Sequence, residues 1–357
     1  MLIYYILVFF ILLLQIKIWK NSANRLRYSI SLILLFFVAA LRGNGDGDYF
    51  VYLQYAELIN STTMLFNNSF PMEFGFRLIS YIVNVFGINT QLVISLMNLI
   101  SISCISIFIK RHSPDKLLSV FLFLPIFFMF DMHAARTAVA LSICTLGFQY
   151  LVDKKYIKFM LVIFIGTLFH NIAAILIVLI FLEKLKIHDI LYYLTILGAF
   201  LVVKLLSINS IVISILNLVG LSNLASRFYI YMNNSTYGYE FSLLDPRLIL
   251  SLMIFVFSMI IKNYIKLTRI ESLLIKINWF LLILMIIFSS NTIFVVRLYG
   301  LINIYSIIQL PIFLKRYKQI AGYLSYFVAK ILIIIAYIFY LLVLINGYPE
   351  YIFFFNK

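Results

Sequence analysis

The stretch Tyr28-Ser29-Ile30-Ser31-Leu32-Ile33-Leu34-Leu35-Phe36-Phe37-Val38-Ala39-Ala40-Leu41 runs directly into Arg42-Gly43-Asn44-Gly45-Asp46-Gly47-Asp48-Tyr49. The first half is almost wholly apolar. The second carries an arginine, three glycines and two aspartates, and neither a helix interior nor hydrocarbon tolerates it. A bare charge at a bilayer centre costs roughly 3 kcal/mol on insertion scales, and each glycine weakens a helix. The junction therefore reads as a membrane helix ending in a flexible, charged loop at a membrane face.

The rest of the chain extends that pattern. Of 357 residues, 64% are hydrophobic and 11% charged, and the mean hydropathy is +1.07. Apolar runs recur near 2–19, 28–41, 88–109, 117–130, 134–152, 156–169, 170–185, 189–206, 246–261, 273–290, 297–313 and 322–346. The expected fold is an all-α polytopic membrane protein in a single transmembrane domain. It has about twelve crossings, with short interfacial or re-entrant helices between them. The apolar stretch 74–86 is too short to cross. Cys104 and Cys144 both fall in apolar spans and frame neither a disulfide network nor a metal cluster.

The net charge of +15 invites a nucleic-acid reading, which the distribution excludes. The basic residues form six short clusters, beginning at Lys17, Lys110, Lys154, Lys184, Lys262 and Lys315, that alternate with loops poor in Lys and Arg. With 74–86 not crossing, all six fall on one face, as the positive-inside rule requires. The other, outer face then carries the loops 42–73 and 207–245. In the first, the tyrosines of Tyr49–Tyr55 suit a helix in the headgroup layer. In the second, Ile211–Leu221 suits an interfacial or re-entrant helix.

Unusual polar residues gather on that outer face: Arg42, Asp46, Asp48, Glu57, Glu73, Asp131, His133, Arg136, His170, Glu240, Asp245, Arg247, Asn291 and Arg297. Outer arginines run against the charge bias and need a reason. Arg136 opens an alanine-rich helix, either gripping an anion or reaching the headgroups. Asp245-Pro246 looks like a helix start, with Asp245 as its cap. Glu73 caps a helix or serves a site, and His170 is a base, a phosphate ligand or a helix breaker. Asp46-Gly47-Asp48 lacks the other ligands of a calcium loop, so no dedicated metal site is expected.

Arginine forks grip phosphate bidentately, and a carboxylate or histidine beside them can deprotonate a hydroxyl. That combination suits glycosyl transfer from a lipid-linked diphosphate. Arg42, Arg136, Arg247 and Arg297 are the candidate diphosphate ligands. Asp46, Asp48, Glu73 and His170 are the candidate bases.

The order of these elements resembles the EpsG/Wzy-type polysaccharide polymerases of bacteria. The matching pieces are Arg42…Gly45…Asp48-Tyr49…Tyr52, Glu73-Phe74-Gly75-Phe76, Arg136-Thr137-Ala138-Val139-Ala140, Leu168-Phe169-His170 and Arg297-Leu298-Tyr299. Thr137 stands where the family often has glutamine. The resemblance implies a GT-C-like membrane glycosyltransferase at the outer face of the bacterial inner membrane. It would join undecaprenyl-diphosphate-linked oligosaccharide repeats without a cofactor, with a chain-length regulator as partner. O-antigen ligases, which share the plan, and lipid-linked oligosaccharide flippases are the rival readings.

Overall fold

The computed structural model describes residues 1–16, 24–45, 47–205, 208–220, 222–233 and 241–355. Asp46, Lys17, Lys20, Glu240 and Lys357 lie outside them. The described residues are helical except for turns, loops and a single antiparallel bridge between Arg42 and Phe353. The chain divides into two compact units, Met1–Ile180 with Ile307–Lys357, and Phe181–Ser306.

The first unit begins with α1 (Leu2–Leu13), α2 (Asn24–Ala40), α3 (Gly47–Leu58), α4 (Thr62–Leu65), α5 (Phe74–Val85) and α6 (Gln91–His112). It continues with α7 (Lys116–Ile126), α8 (Ala135–Leu146), α9 (Phe148–Val152) and α10 (Tyr156–Thr167). Its centre is α8, which packs on α6 and α10. Ala138, Ala140, Ser142, Cys144 and Thr145 of α8 are all buried. Such small side chains let helices approach closely where lipid offers no hydrophobic drive to associate. Gly166 of α10 fits there, since a Cβ would lie 2.6 Å from Cys144 Sγ and 3.1 Å from Ala140 O. α2 runs antiparallel to α6. Near one end Tyr28 Oη donates to Ser106 O at 2.9 Å, and near the other Ser95 Oγ donates to Ala40 O at 3.1 Å.

Two helices break for visible reasons. Asp115 caps α7, accepting from Leu118 N at 3.1 Å. Pro125 then removes a backbone donor from the helix. The next turn widens into a π-helix over Phe127–Asp131, closed by Met132 N donating to Phe127 O at 3.0 Å. α10 ends before His170, and a 3-10 helix follows over Asn171–Val178, leading into α11 (Leu179–Lys184).

The second unit contains α12 (Asp189–Leu205), α13 (Ile208–Leu218), α14 (Ser222–Asn233), α15 (Pro246–Lys262) and α16 (Arg269–Ile287). α16 packs on α12 and α15, and Trp279 Nε1 donates to Thr195 Oγ1 at 2.9 Å. Thr268 and Glu271 form a reciprocal capping box at the start of α16. Finally α17 (Thr292–Asn346) is two helices joined at Gly322, whose φ of 82° suits glycine.

These helices follow the apolar runs closely, but their lengths differ from twelve uniform crossings. Among the described residues, four helical stretches are long and apolar enough to cross a membrane: Gln91–His112, Ala135–Val152, Arg269–Ile287 and Thr292–Asn346. A fifth counts if α12 and α13 are one bent span. Leu2–Leu13, Phe74–Val85 and Tyr156–Thr167 are apolar and shorter. The π-turn and the 3-10 helix divide runs that hydropathy reads as continuous.

Candidate functional site

The glycine-rich loop behaves differently from the flexible flap its composition implies. Gly43 N donates to Ile352 O at 2.7 Å and Phe354 N donates to Leu41 O at 3.0 Å, flanking the Arg42–Phe353 bridge. A Cβ on Gly43 would lie 2.8 Å from the backbone of Phe353 and Phe354, and one on Gly45 would lie 3.3 Å from Glu350 O. These glycines exist for close backbone packing against residues 349–354. Gln91, at the start of α6, pins the loop further. Its Nε2 donates to Ala40 O and Arg42 O, both at 2.9 Å, and its Oε1 accepts from Tyr49 Oη at 2.7 Å.

So held, the Arg42 side chain is buried at 3% exposure. Its charge acts on Tyr49, Tyr52 and Tyr351, and on the fully buried carboxyl of Asp131 at the end of the π-turn. The expected helix after the loop forms as α3, but Tyr49 and Tyr52 turn into the protein and Phe50 and Val51 face out. The tyrosines are parts of the interior rather than headgroup anchors. Burial raises the Tyr52 hydroxyl above its ordinary value of 10.0, outweighing the nearby Arg136 and Arg42 charges. At neutral pH Tyr52 keeps its proton. Asp48 is exposed in the first turn of α3, where the helix dipole favours it, and its charge reaches Tyr52.

Arg136 lies in the first turn of α8. Its guanidinium forms an ion pair with Glu73, hydrogen-bonds Tyr52 and lies 5.6 Å over the Tyr52 ring. Glu73 occupies the cap position of α5 without capping it; the carboxylate turns to Arg136 instead. Both side chains are about one-fifth exposed, at 21% and 17%, so the pair is neither sealed nor fully hydrated.

The start of α5 is docked on the segment before His170. Gly75 N donates to Leu168 O at 2.7 Å, and a Cβ there would lie 2.9 Å from Leu168 O and the Phe169 ring. His170 Nδ1 accepts from Ile172 N at 3.2 Å, capping the 3-10 helix. A backbone N–H can only donate, so this nitrogen is the acceptor and the neutral ring carries its proton on Nε2. In this arrangement Nδ1 is engaged by the helix it caps, and Nε2–H is the ring's donor. Arg77 also serves the frame, hydrogen-bonding Asn67 O and lying 5.9 Å over Phe74.

The remaining two arginines belong to the second unit. Arg247 is held by Asp245 through Nε and Nη2, each at 2.8 Å, and lies 4.9 Å over Phe241. Asp245 Oδ1 also accepts from Arg247 N at 2.9 Å, so it caps α15 as its position before proline implies. Arg297 is half-buried in the second turn of α17, with no ion pair or hydrogen bond among the described residues. Asn291 helps start that helix, accepting from Phe294 N at 3.1 Å.

The first unit thus joins Arg42, Asp48, Glu73 and Arg136 with Tyr52 and Asp131, and seats His170 behind α5. Asp46 lies outside the described residues. Gln91 and the 349–354 segment were not among the expected site residues, and Asp131 was among the outer-face polar residues without a role. A glutamine opening an apolar span, and aromatics after Pro349, are the signals that mark them. Among the described residues no group of three or more His, Cys, Asp or Glu is placed to hold a metal.

No curated protein and no solved structure matches the chain. The EpsG family model matches residues 25–356, a range that takes in the glycine loop, the Glu73–Arg136 pair, His170 and the closing segment alike. The chain therefore belongs to the EpsG family.

Proposed function

We propose that this protein is a polysaccharide polymerase joining undecaprenyl-diphosphate-linked oligosaccharide repeats at the outer face of the bacterial inner membrane. Membership of the EpsG family supports a polymerase-type role in polysaccharide synthesis. The fuller reading has about twelve crossings on a GT-C-like plan, a glycosyl transfer that draws on arginines rather than a metal, and a chain-length regulator as partner.

The observation that carries this reading is the half-buried Arg136–Glu73 pair against Tyr52. A carboxylate holds the guanidinium fork in place while the site is empty. A diphosphate carries more charge than a carboxylate, and two oxygens of one tetrahedral phosphate can accept from the guanidinium together, so it competes for the fork. Glu73 is then released beside the bound donor. The acceptor hydroxyl oxygen attacks the anomeric carbon, and the bond from that carbon to the diphosphate oxygen breaks. The electron pair leaves with the diphosphate, and the hydroxyl proton passes to Glu73. Arg136 stabilises the charge growing on the leaving group, and Tyr52 keeps the fork oriented. Arg42, whose charge reaches Tyr52, adds positive potential.

The test is product analysis in cells carrying Arg136→Ala. Single-repeat glycolipid with no polymer is expected. Polymer of normal length from a well-expressed variant would overturn the assignment, and accumulation of long lipid-linked polymer would point to a ligase.

A further inference from the structure

A cleft lies in the first unit, at the other end of α2 and α6 from Arg42. The cleft has a volume of about 1090 Å³ and is lined by Arg25, Lys110, Lys116, Lys315, Lys318 and Lys330. Lys110 stands nineteen residues along α6 from Gln91, which holds the Arg42 loop, so the two sites are about 28 Å apart along that helix. That is close to the thickness of a bilayer core, about 30 Å.

The charge bias of membrane proteins explains basic residues on one face, but not this convergence. The six cations come from the start of α2, the end of α6, the start of α7 and both halves of α17 around Gly322. In the second unit, comparable basic residues find partners within the protein. Lys262 pairs with Asp189, Arg269 with Glu183, and Lys276 Nζ donates to Glu183 O and Leu185 O. Among the described residues the cleft of the first unit has one lining carboxylate, Asp115, and Lys330 holds it at 2.5 Å. Arg27, also in the lining, is committed to Leu14 O, Ile16 O and the Asn24 side chain.

Among the described residues, Lys318 and Lys110 are positioned over aromatic rings and make no ion pair. Lys318 Nζ lies 5.0 Å over the Tyr323 ring and 5.7 Å over Tyr326, and Lys110 Nζ lies 5.7 Å over Tyr28. Ring faces attract an ammonium group yet leave its N–H donors available. Several such ammonium groups around one cavity of this size repel each other unless an anion enters.

We propose that this cleft binds a phosphate or diphosphate group, presented by an anionic lipid or free in solution. Phosphate fits because it meets several point charges at once, and basic pockets between membrane helices suit phospholipid headgroups. The inference does not rest on the polymerase reading.

The test uses the full chain in phosphatidylcholine nanodiscs, with binding read by native mass spectrometry and by thermal unfolding. The probes are phosphatidylglycerol doped into the disc and inorganic pyrophosphate added to the buffer. At least one probe is expected to bind in a salt-sensitive manner. It should bind about tenfold or more weakly to the triple variant Arg25→Gln/Lys315→Gln/Lys318→Gln. Binding of the lipid alone assigns a headgroup site, and competition by pyrophosphate shows that the phosphate group suffices. Equal binding to wild type and variant, or no binding of either probe, overturns the proposal. Should the triple variant not fold, Lys318→Gln alone is titrated in the same way, and unchanged affinity again overturns it.

Discussion

Two arginine–carboxylate pairs in this chain look alike on paper and differ in what they do. Arg247 and Asp245 are two residues apart, bidentate, and built around the start of α15. Arg136 and Glu73 are 63 residues apart, come from the starts of two helices, and share a tyrosine. The first pair serves the helix it opens, because Asp245 accepts from the backbone as well as from the side chain. The second serves neither helix. Glu73 leaves its capping position uncapped to reach Arg136, so its carboxylate is diverted from local to distant use.

The comparison breaks most decisively at Arg136. Arg136→Ala is expected to lower polymer formation by about a hundredfold or more, as removal of a charge-stabilising donor does elsewhere. Arg136→Lys should rescue little, because an ammonium lacks the fork. Gel analysis of the polysaccharide, normalised to membrane expression, decides it. Glu73→Gln keeps the shape and removes the base. It should lower turnover about a hundredfold while leaving donor binding intact, so near-normal turnover would return Glu73 to a purely positioning role.

Gly43→Ala tests the frame around the pair. A Cβ forced against the backbone of Phe353 should destabilise the protein by about 1–3 kcal/mol, and Gly45→Ala by less, in thermal unfolding of the purified protein. Equal effects at the two positions would argue against the packing explanation. The smallest effect is expected at the local pair. Asp245→Ala should cost about 1 kcal/mol through loss of the cap, leaving polymer length largely unchanged. A loss of polymer as large as that of Arg136→Ala would mean that Arg247 belongs to the site after all.

Much of this was legible in the sequence where the cause is local. The apolar runs place most helices within a few residues, and Asp245-Pro246 announces its cap. The charges of Glu73 and Arg136 stand out because a membrane protein has few. What composition hides is distance. Three glycines look like freedom until residues 349–354 are laid against two of them, and nothing near Gly43 in sequence encodes that contact. Tyr49 and Tyr52 look amphipathic in isolation, and only the placement of Gln91 and Arg136 turns them inward. His170 carries a donor or acceptor on either nitrogen, and a backbone amide two residues on decides which.

The Arg42–Phe353 bridge also imposes an order on biosynthesis. Phe353 leaves the ribosome roughly three hundred residues after Arg42, which at about 5–20 residues per second is roughly 15–60 seconds. Through that interval Arg42 lacks the backbone partner that seats it. A partly translated chain therefore cannot hold the Arg42 loop in its finished form.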